Sequence, residues 1–340
     1  MIVDLRSDTV TKPSKGMMEA MFSAPLGDDV FAEDPTVNQL QEKCAEMFGM
    51  DSALFCPSGT MTNQLAVNCH TVPMEEILVH RLSHIYNYEN GGFAFHSGCS
   101  IRLLEGERGI IDPADVLANI NPEFDWLPRT SLLSLENTVN KGGGSIYSLE
   151  QMSSLSKTAK EAGIPIHLDG ARLFNALVET GNTTQEIGSL FDSISICLSK
   201  GLGAPVGSLL IGNKDFIKQA RRKRKAFGGG MRQAGILAAA GIYALDKNVN
   251  RLTDDHVKAK EINTVLKKLP MVTNDLNPDT NIIMVEIDGS YGAERFMNEL
   301  ECHSIRTVPF GANWVRMVTH LDIGEKEMDH CLTVLSNLGS

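Results

Sequence analysis

Two short runs constrain this chain more than anything else in it. They are Ile164-Pro-Ile-His-Leu-Asp-Gly-Ala-Arg172 and Ser193-Ile-Ser-Ile-Cys-Leu-Ser-Lys-Gly-Leu-Gly-Ala-Pro-Val-Gly207. Each reads as a buried apolar strand that ends in polar residues and glycine. That is the signature of a strand buried on both faces, which belongs in a parallel sheet covered by helices. Further runs of this kind at 53–56, 77–80, 132–136 and 208–212 alternate with helical patterns. Asp34-Pro35 opens one helix, a capping acid followed by proline at the first helical position; Val37, Leu40, Cys44 and Met47 then recur at helical spacing up to Phe48-Gly49. Another helix is expected over 61–69 and an amphipathic one over 149–162. The alternation specifies an α/β protein with a mostly parallel sheet.

In open α/β sheets, ligands gather at the carboxyl ends of strands. The two runs deliver Asp169, Arg172 and Lys200 there. A lysine forms a Schiff base with an aldehyde, an acid keeps a ring nitrogen protonated, and together with an arginine they are what an enzyme needs to hold pyridoxal phosphate (PLP). Each residue also has a plainer reading. A lysine after a strand is commonly a surface lysine, and an aspartate there commonly caps a helix. The surroundings of Lys200 favour the cofactor: Ser199 precedes it, and Gly201, Gly203 and Gly207 follow, so backbone can approach a ligand closely. The glycines do not fit a dinucleotide fingerprint, because their spacing is wrong and Pro205 sits where a helix should run.

Other candidates surround this pair. Ser58-Gly59-Thr60 lies between a strand and a helix start, where free N–H groups and the helix dipole favour a phosphate or, equally, an ordinary N-cap. Gly228-Gly-Gly-Met-Arg-Gln233 is a second glycine-rich helix entry, carrying Arg232. His84 follows a strand and can stack on a flat ring or move protons near neutrality. Arg316 alternates among apolar neighbours in Trp314-Val-Arg-Met-Val318 and needs an anion, either a ligand carboxylate or a protein salt bridge. His96 and Cys99 lack the further ligands that a zinc site needs, so no metal site is assigned.

A net charge of -11 and a pI near 5.3 argue against nucleic-acid or anionic-membrane partners. The one basic run, Arg221-Arg-Lys-Arg-Lys225, falls on a helix and reads as a solvated face or a subunit contact, or more sharply as a phosphate or carboxylate contact. No secretory leader is expected at the N-terminus, and the apolar stretch around 235–245 is too short to span a bilayer. Seven cysteines without a C-x-x-C do not make a disulfide framework, which suits a reducing cytoplasm. Beyond Arg251 long polar helices, expected over 254–269, 293–302 and 324–338, surround strands at 281–287 and 314–318. We therefore expect a large PLP-binding unit over 1–250, N-terminal segment included, and a smaller α+β unit over 251–340.

With these residues in view, the sequence resembles the L-threonine aldolases of low-specificity type, in the aspartate-aminotransferase-like PLP superfamily. The resemblance runs nearly end to end. It is carried by Asp4-Leu-Arg-Ser-Asp-Thr-Val-Thr-Lys-Pro13, Gly27-Asp-Asp-Val30, Glu33-Asp-Pro-Thr36, Pro57-Ser-Gly-Thr-Met61, Ser83-His84, Pro128-Arg-Thr130, Leu135-Glu-Asn-Thr138, His167-Leu-Asp-Gly-Ala-Arg172, Leu198-Ser-Lys-Gly201 and Gly228-Gly-Gly-Met-Arg-Gln-Ala-Gly235.

The resemblance implies PLP fold type I with a seven-stranded large-domain sheet. It implies cleavage of L-threonine, L-allo-threonine or related β-hydroxy-α-amino acids to glycine and an aldehyde; a related PLP-dependent lyase or racemase is the alternative. Lys200 then carries PLP, Ser58, Gly59 and Thr60 hold its phosphate, and Asp169 pairs with the ring nitrogen. His84 stacks on the ring and assists catalysis. Arg172 lies near the ring oxygen and the substrate carboxylate, which Ser7 and Arg316 also bind. Lys225 and Arg232 match basic residues near the site, lent by a neighbouring subunit in a homotetramer built from dimers with active sites at the dimer interface. Two departures stand out. Many relatives have Val-Tyr where this chain has Val30-Phe31. Many have His-Phe-x-Arg-Thr where it has Trp126-Leu-Pro-Arg-Thr130, and that histidine is associated with the substrate β-hydroxyl. Both changes suggest a bulkier or more apolar side-chain preference.

Overall fold

The apolar runs pair into one seven-stranded sheet in the computed structural model, which describes residues 1–338. Across the sheet the strands are Ser52–Cys56, Ser208–Gly212, Ser193–Cys197, Ile166–Gly170, Thr130–Glu136, Glu76–His80 and Ser100–Leu104. Ser208–Gly212 runs antiparallel to both of its neighbours, while the four pairings from Ser193–Cys197 out to Ser100–Leu104 are parallel. The exception has a local cause. A parallel return needs a crossover long enough for a helix, and only the glycine-rich loop 198–207 separates these two strands. The first residue of the reversed strand, Ser208, therefore lies beside Cys197 and Cys56, at the carboxyl edge of the sheet.

The helices start where capping chemistry puts them. Asp34 accepts hydrogen bonds from the Thr36 and Val37 N–H groups and opens Pro35–Phe48, which Gly49 closes at a positive φ of 62°. Ser148 and Gln151 form a capping box at the head of Leu149–Glu161. The helix expected over 61–69 begins earlier, as Gly59–His70, because Ser58 caps it through the Met61 N–H. The one expected over 254–269 is Leu252–Leu266.

The second unit carries a four-stranded antiparallel sheet in the order Val308–Pro309, Trp314–Val318, Ile282–Ile287, Val272–Leu276. Leu252–Leu266, Ala293–Cys302 and Glu325–Asn337 cover it, around a core that includes Phe296, Leu300, Met317 and Leu335. The N-terminal strand Val3–Asp4 pairs with Ile305–Arg306, and Val3 and Leu5 are buried in this core. The first residues thus pack with the small unit rather than with the large one, to which they are joined in sequence. The boundary expected near 250 falls between the helices Gly235–Lys247 and Leu252–Leu266; residues 339–340 of the expected small unit lie outside the described residues.

The basic run lies on the helix Lys214–Ala226, but it is not simply a solvated face. Arg224 turns inward, pairs with Asp29 at 2.5 Å and donates to the Phe55 carbonyl. All seven cysteines are free. Among the described residues no helix is long and apolar enough to cross a membrane.

Candidate active site

A cavity of about 370 Å³ opens between the carboxyl edge of the large sheet and the small unit. Ser7, His84, Tyr88, Arg172, Lys200 and Arg316 line it. Five of these were expected from the sequence, and they arrive from five separate segments of the chain.

Lys200 sits in a loop held from several directions. The Leu198 N–H donates to the Gly207 carbonyl at 2.9 Å and the Ala204 N–H to the Leu198 carbonyl at 3.1 Å. The Lys200 carbonyl accepts from the Gly203 N–H at 2.8 Å and from the Thr11 hydroxyl at 3.1 Å. Gly207 has a φ of 124°, and a Cβ there would lie 2.5 Å from the Phe55 ring, so the loop needs glycine at this point.

Arg172 is buried against Asp8, which sequence reasoning missed. Nε donates to Asp8 Oδ2 at 2.8 Å and Nη2 to Oδ1 at 2.7 Å. Burial pushes the Asp8 carboxyl up, but Arg172 outweighs it and, with Lys200, holds it well below the usual carboxylate range. Arg316 is held by the Asn140 side-chain oxygen at 2.8 Å and the Arg6 carbonyl at 3.1 Å. Burial, and then the neighbouring Arg172, lower its pKa to about 10. Its Nε is buried without a partner. A cation so placed, its charged form disfavoured and one donor unused, suits an anionic ligand.

Behind the cavity is a buried acid network. Asp169 accepts from Asn63 Nδ2 at 2.8 Å and from the Ala171 N–H at 3.2 Å. His84 Nδ1 lies 2.9 Å from Glu89 Oε1, and the His84 N–H donates to Glu136 at 2.7 Å. Burial alone would lower the His84 ring, but the Glu89 hydrogen bond and the charges of Asp169, Glu89 and Glu136 raise it above its ordinary 6.5. Glu136 is pushed up to about 7, by burial first and then by the charge of Asp169.

Ser58, Gly59 and Thr60 lie at the head of Gly59–His70. Ser58 Oγ accepts from the Met61 N–H as an N-cap. The first-turn N–H groups of Gly59 and Thr60 have no carbonyl within the helix to meet. Ser208 Oγ, buried and without a partner, would lie 3.6 Å from a Cβ on Gly59. An orphaned hydroxyl beside a helix N-terminus is a phosphate-sized donor set, and with Lys200, Asp169 and Arg172 it fits PLP.

Not every candidate arrives. Lys225 is exposed and lies against Gly230, and Arg232 pairs with Asp28 at 2.9 Å; neither lines the cavity of its own chain. Nor do Phe31, 68% exposed, or Trp126, which is 76% exposed and stacked on Phe124 at 4.7 Å. Trp126 precedes Thr130–Glu136, so it lies toward the amino end of that strand, away from the cavity. Sequence reasoning also missed Asn63, Glu89 and Asn140. Asp8 and Glu136 did lie inside quoted motifs, beside Ser7 and Leu135, and an acid within a run of motif residues was their available signal.

The beta-eliminating lyase family profile matches residues 4–290. The chain is 44% identical over 329 residues to the low specificity L-threonine aldolase of Escherichia coli K12, covering 96% of each. It is 40% identical over 343 residues to a probable low-specificity L-threonine aldolase 2 of Arabidopsis thaliana, covering 99% of this chain and 97% of that one. Its fold is similar to the structure of Leishmania major threonine aldolase, with a TM-score of 0.86 at 21% identity, over 99% of this chain and 100% of that one.

Proposed function

The chain belongs to the beta-eliminating lyase family and, within it, to the low-specificity L-threonine aldolases, and from that premise we propose that the Lys200 cavity cleaves L-threonine, L-allo-threonine and related β-hydroxy-α-amino acids to glycine and an aldehyde. It is a carbon–carbon lyase with PLP as its cofactor. The observation that carries the reading is the convergence of Ser7, His84, Arg172, Lys200 and Arg316 on one cavity above the Asp169 network.

Lys200 would hold the cofactor covalently, Asp169 its ring nitrogen, and Gly59, Thr60 and Ser208 its phosphate. When bound, PLP supplies a carbonyl carbon for the substrate amine and a ring that takes up the electron pair of the breaking Cα–Cβ bond. The protein sets which bond breaks. Arg316 and Ser7 grip the carboxylate, with Arg172 beside them, fixed by Asp8. That grip would orient the Cα–Cβ bond for cleavage. His84, with Nδ1 bound to Glu89, offers Nε2 to the β-hydroxyl proton. Tyr88, Pro309 and Phe310 are shared with a second, apolar cavity of about 440 Å³ that Leu276, Met284 and Trp314 also line. An apolar cavity that shares three lining residues with the Lys200 cavity supports substituents larger than methyl.

We place the enzyme in the cytoplasm, supported by seven free cysteines, and as a homotetramer of dimers. Exposed Phe22, Phe31, Phe95, Met74 and Trp126 support self-association, and Lys225 and Arg232 would then reach a neighbour's site. The test is incubation with L-threonine, reading acetaldehyde and glycine. Lys200→Ala should abolish turnover and the borohydride-reducible chromophore; an active, reducible variant would refute the assignment. Equal or higher kcat/KM on threonine than on phenylserine would sink the bulkier preference.

A further inference from the structure

Asn63, on the helix Gly59–His70, is 2% exposed and joins the two halves of the acid network. Its amide nitrogen lies 2.9 Å from Glu89 Oε1 and 2.8 Å from Asp169 Oδ2. Its oxygen lies 3.2 Å from His167 Nε2. His167 Nδ1 is 2.8 Å from Ser193 Oγ, which is also 2.8 Å from His70 Nε2.

The hydrogens of this string have one consistent placement. Ionised carboxylates only accept, so the Asn63 amide must turn its NH2 toward Glu89 and Asp169, one hydrogen to each. Its oxygen then faces His167, whose Nε2 carries the hydrogen. His167 Nδ1 accepts from the Ser193 hydroxyl, and Ser193 Oγ accepts from His70 Nε2–H. Burial keeps both rings neutral near pH 7: it lowers His167 to about 3 and His70 to about 4. The amide is thus oriented from behind, by groups the cavity never touches.

The consequence lies at the front. An atom each of His84, Glu89 and Asp169 falls within 4.8 Å of the others. A donor set between two carboxylates that close fixes both in place. We propose that Asn63 is a positioning residue that fixes the Glu89 and Asp169 carboxylates in place, and so holds His84 with its hydrogen on Nδ1 and its Nε2 open to the cavity. Gln64 Nε2 completes the hold on Glu89 at 2.5 Å. The charged groups facing His84 come from every wall. They are Glu89 on its own segment, Glu136 and Asp169 at strand ends, and Arg172, Lys200 and Arg316 across the cavity, with Tyr88 at 5.5 Å. Among them, Asn63 contacts Glu89 and Asp169.

The catalytic consequence rests on the aldolase reading above, whereas a ring titration reads the network itself, so the two can fail separately. The measurement is the His84 imidazole pKa and tautomer by 1H–15N correlation on the purified full chain, assigned with His84→Asn. In Asn63→Leu the Glu89 carboxylate loses the donor that fixes it against His84 Nδ1, and the His84 pKa should fall by about one unit or more, with loss of the single Nδ1–H tautomer. The acid limb of the kcat/KM profile should move with it. Asn63→Ala, into which nothing new must fit, gives the same reading if the leucine variant does not fold. Glu89→Gln should lower the ring further and leave Asn63 in place. A role confined to packing would lower Tm and leave the titration alone. A folded Asn63 variant, or Glu89→Gln, with His84 titration and tautomer unchanged overturns the proposal.

Discussion

Replacing Asp8 by Asn tests the frame of the cavity most directly. Asp8 Oδ1 and Oδ2 accept at 2.7 and 2.8 Å from one buried guanidinium, and Asn281 donates to Oδ2 at 3.3 Å. The asparagine keeps the size but removes the charge, so Arg172 stays buried with nothing to neutralise it. Breaking one side of a buried, hydrogen-bonded pair costs about 3–5 kcal/mol. At ~2–3 °C per kcal/mol for a chain of this size, Tm should fall by about 6–15 °C. Urea unfolding at one fixed protein concentration measures this in Asp8→Asn, in Arg172→Met and in the Asp8→Leu/Arg172→Met double variant. The double variant should be more stable than either single, because no lone charge remains in it. The pH sign also follows. The folded-state pKa of Asp8 lies below the ordinary 3.8. Its contribution is therefore complete above that value and is lost as pH falls through the lowered one, so wild type and Asp8→Asn should converge in strong acid. A loss under ~1 kcal/mol in Asp8→Asn, or additive single effects, would refute a strong buried pair.

Other outcomes can be checked alongside. Ser208→Ala removes an unsatisfied buried hydroxyl. Apo-protein stability should stay within ~0.5 kcal/mol, while the PLP dissociation constant, read by absorbance titration, rises about tenfold or more. Arg316→Lys keeps the charge but not the fork, so steady-state kinetics should show KM for threonine raised about 10–100-fold, with kcat less affected. The raised pKa of Glu136, about 7 against 4.5, stabilises the fold fully below pH 4.5, and that support is lost as pH rises through 7. Glu136→Gln should flatten this falling limb in denaturation curves across that range. A Cβ on Gly188 would lie 1.8 Å from the Phe48 carbonyl oxygen. Gly188→Ala must therefore push the helices Thr184–Gly188 and Pro35–Phe48 apart, lowering stability by ~1–3 kcal/mol in the same unfolding assay.

Much of the site was legible in the sequence because a sheet edge converts order along the chain into position. Asp169 and Lys200 each end an apolar run, and strands that pair in parallel bring such ends to one edge. His84 follows a third run, and Ser58, Gly59 and Thr60 a fourth, one that enters a helix. Asn63 and Glu89 ended no run and showed no local pattern, and Asp8 was marked by nothing but its place beside Ser7 in a motif. Asn63 sits mid-helix among residues that read as core, and its meaning depends on carboxylates from elsewhere in the chain.

The sequence by itself determined the α/β class and the strand ends that carry Asp169 and Lys200. These follow from hydrophobic period and residue type, which are local. Only the tertiary structure decided which groups meet. It brought Arg316 from the small sheet to the Lys200 loop and buried Asp8 against Arg172. It joined the N-terminal strand to Ile305–Arg306. It also kept Lys225, Arg232 and Trp126 out of their own chain's cavity. The reason is physical: contact between side chains far apart in sequence is set by how sheets and helices pack, and no period along the chain records it.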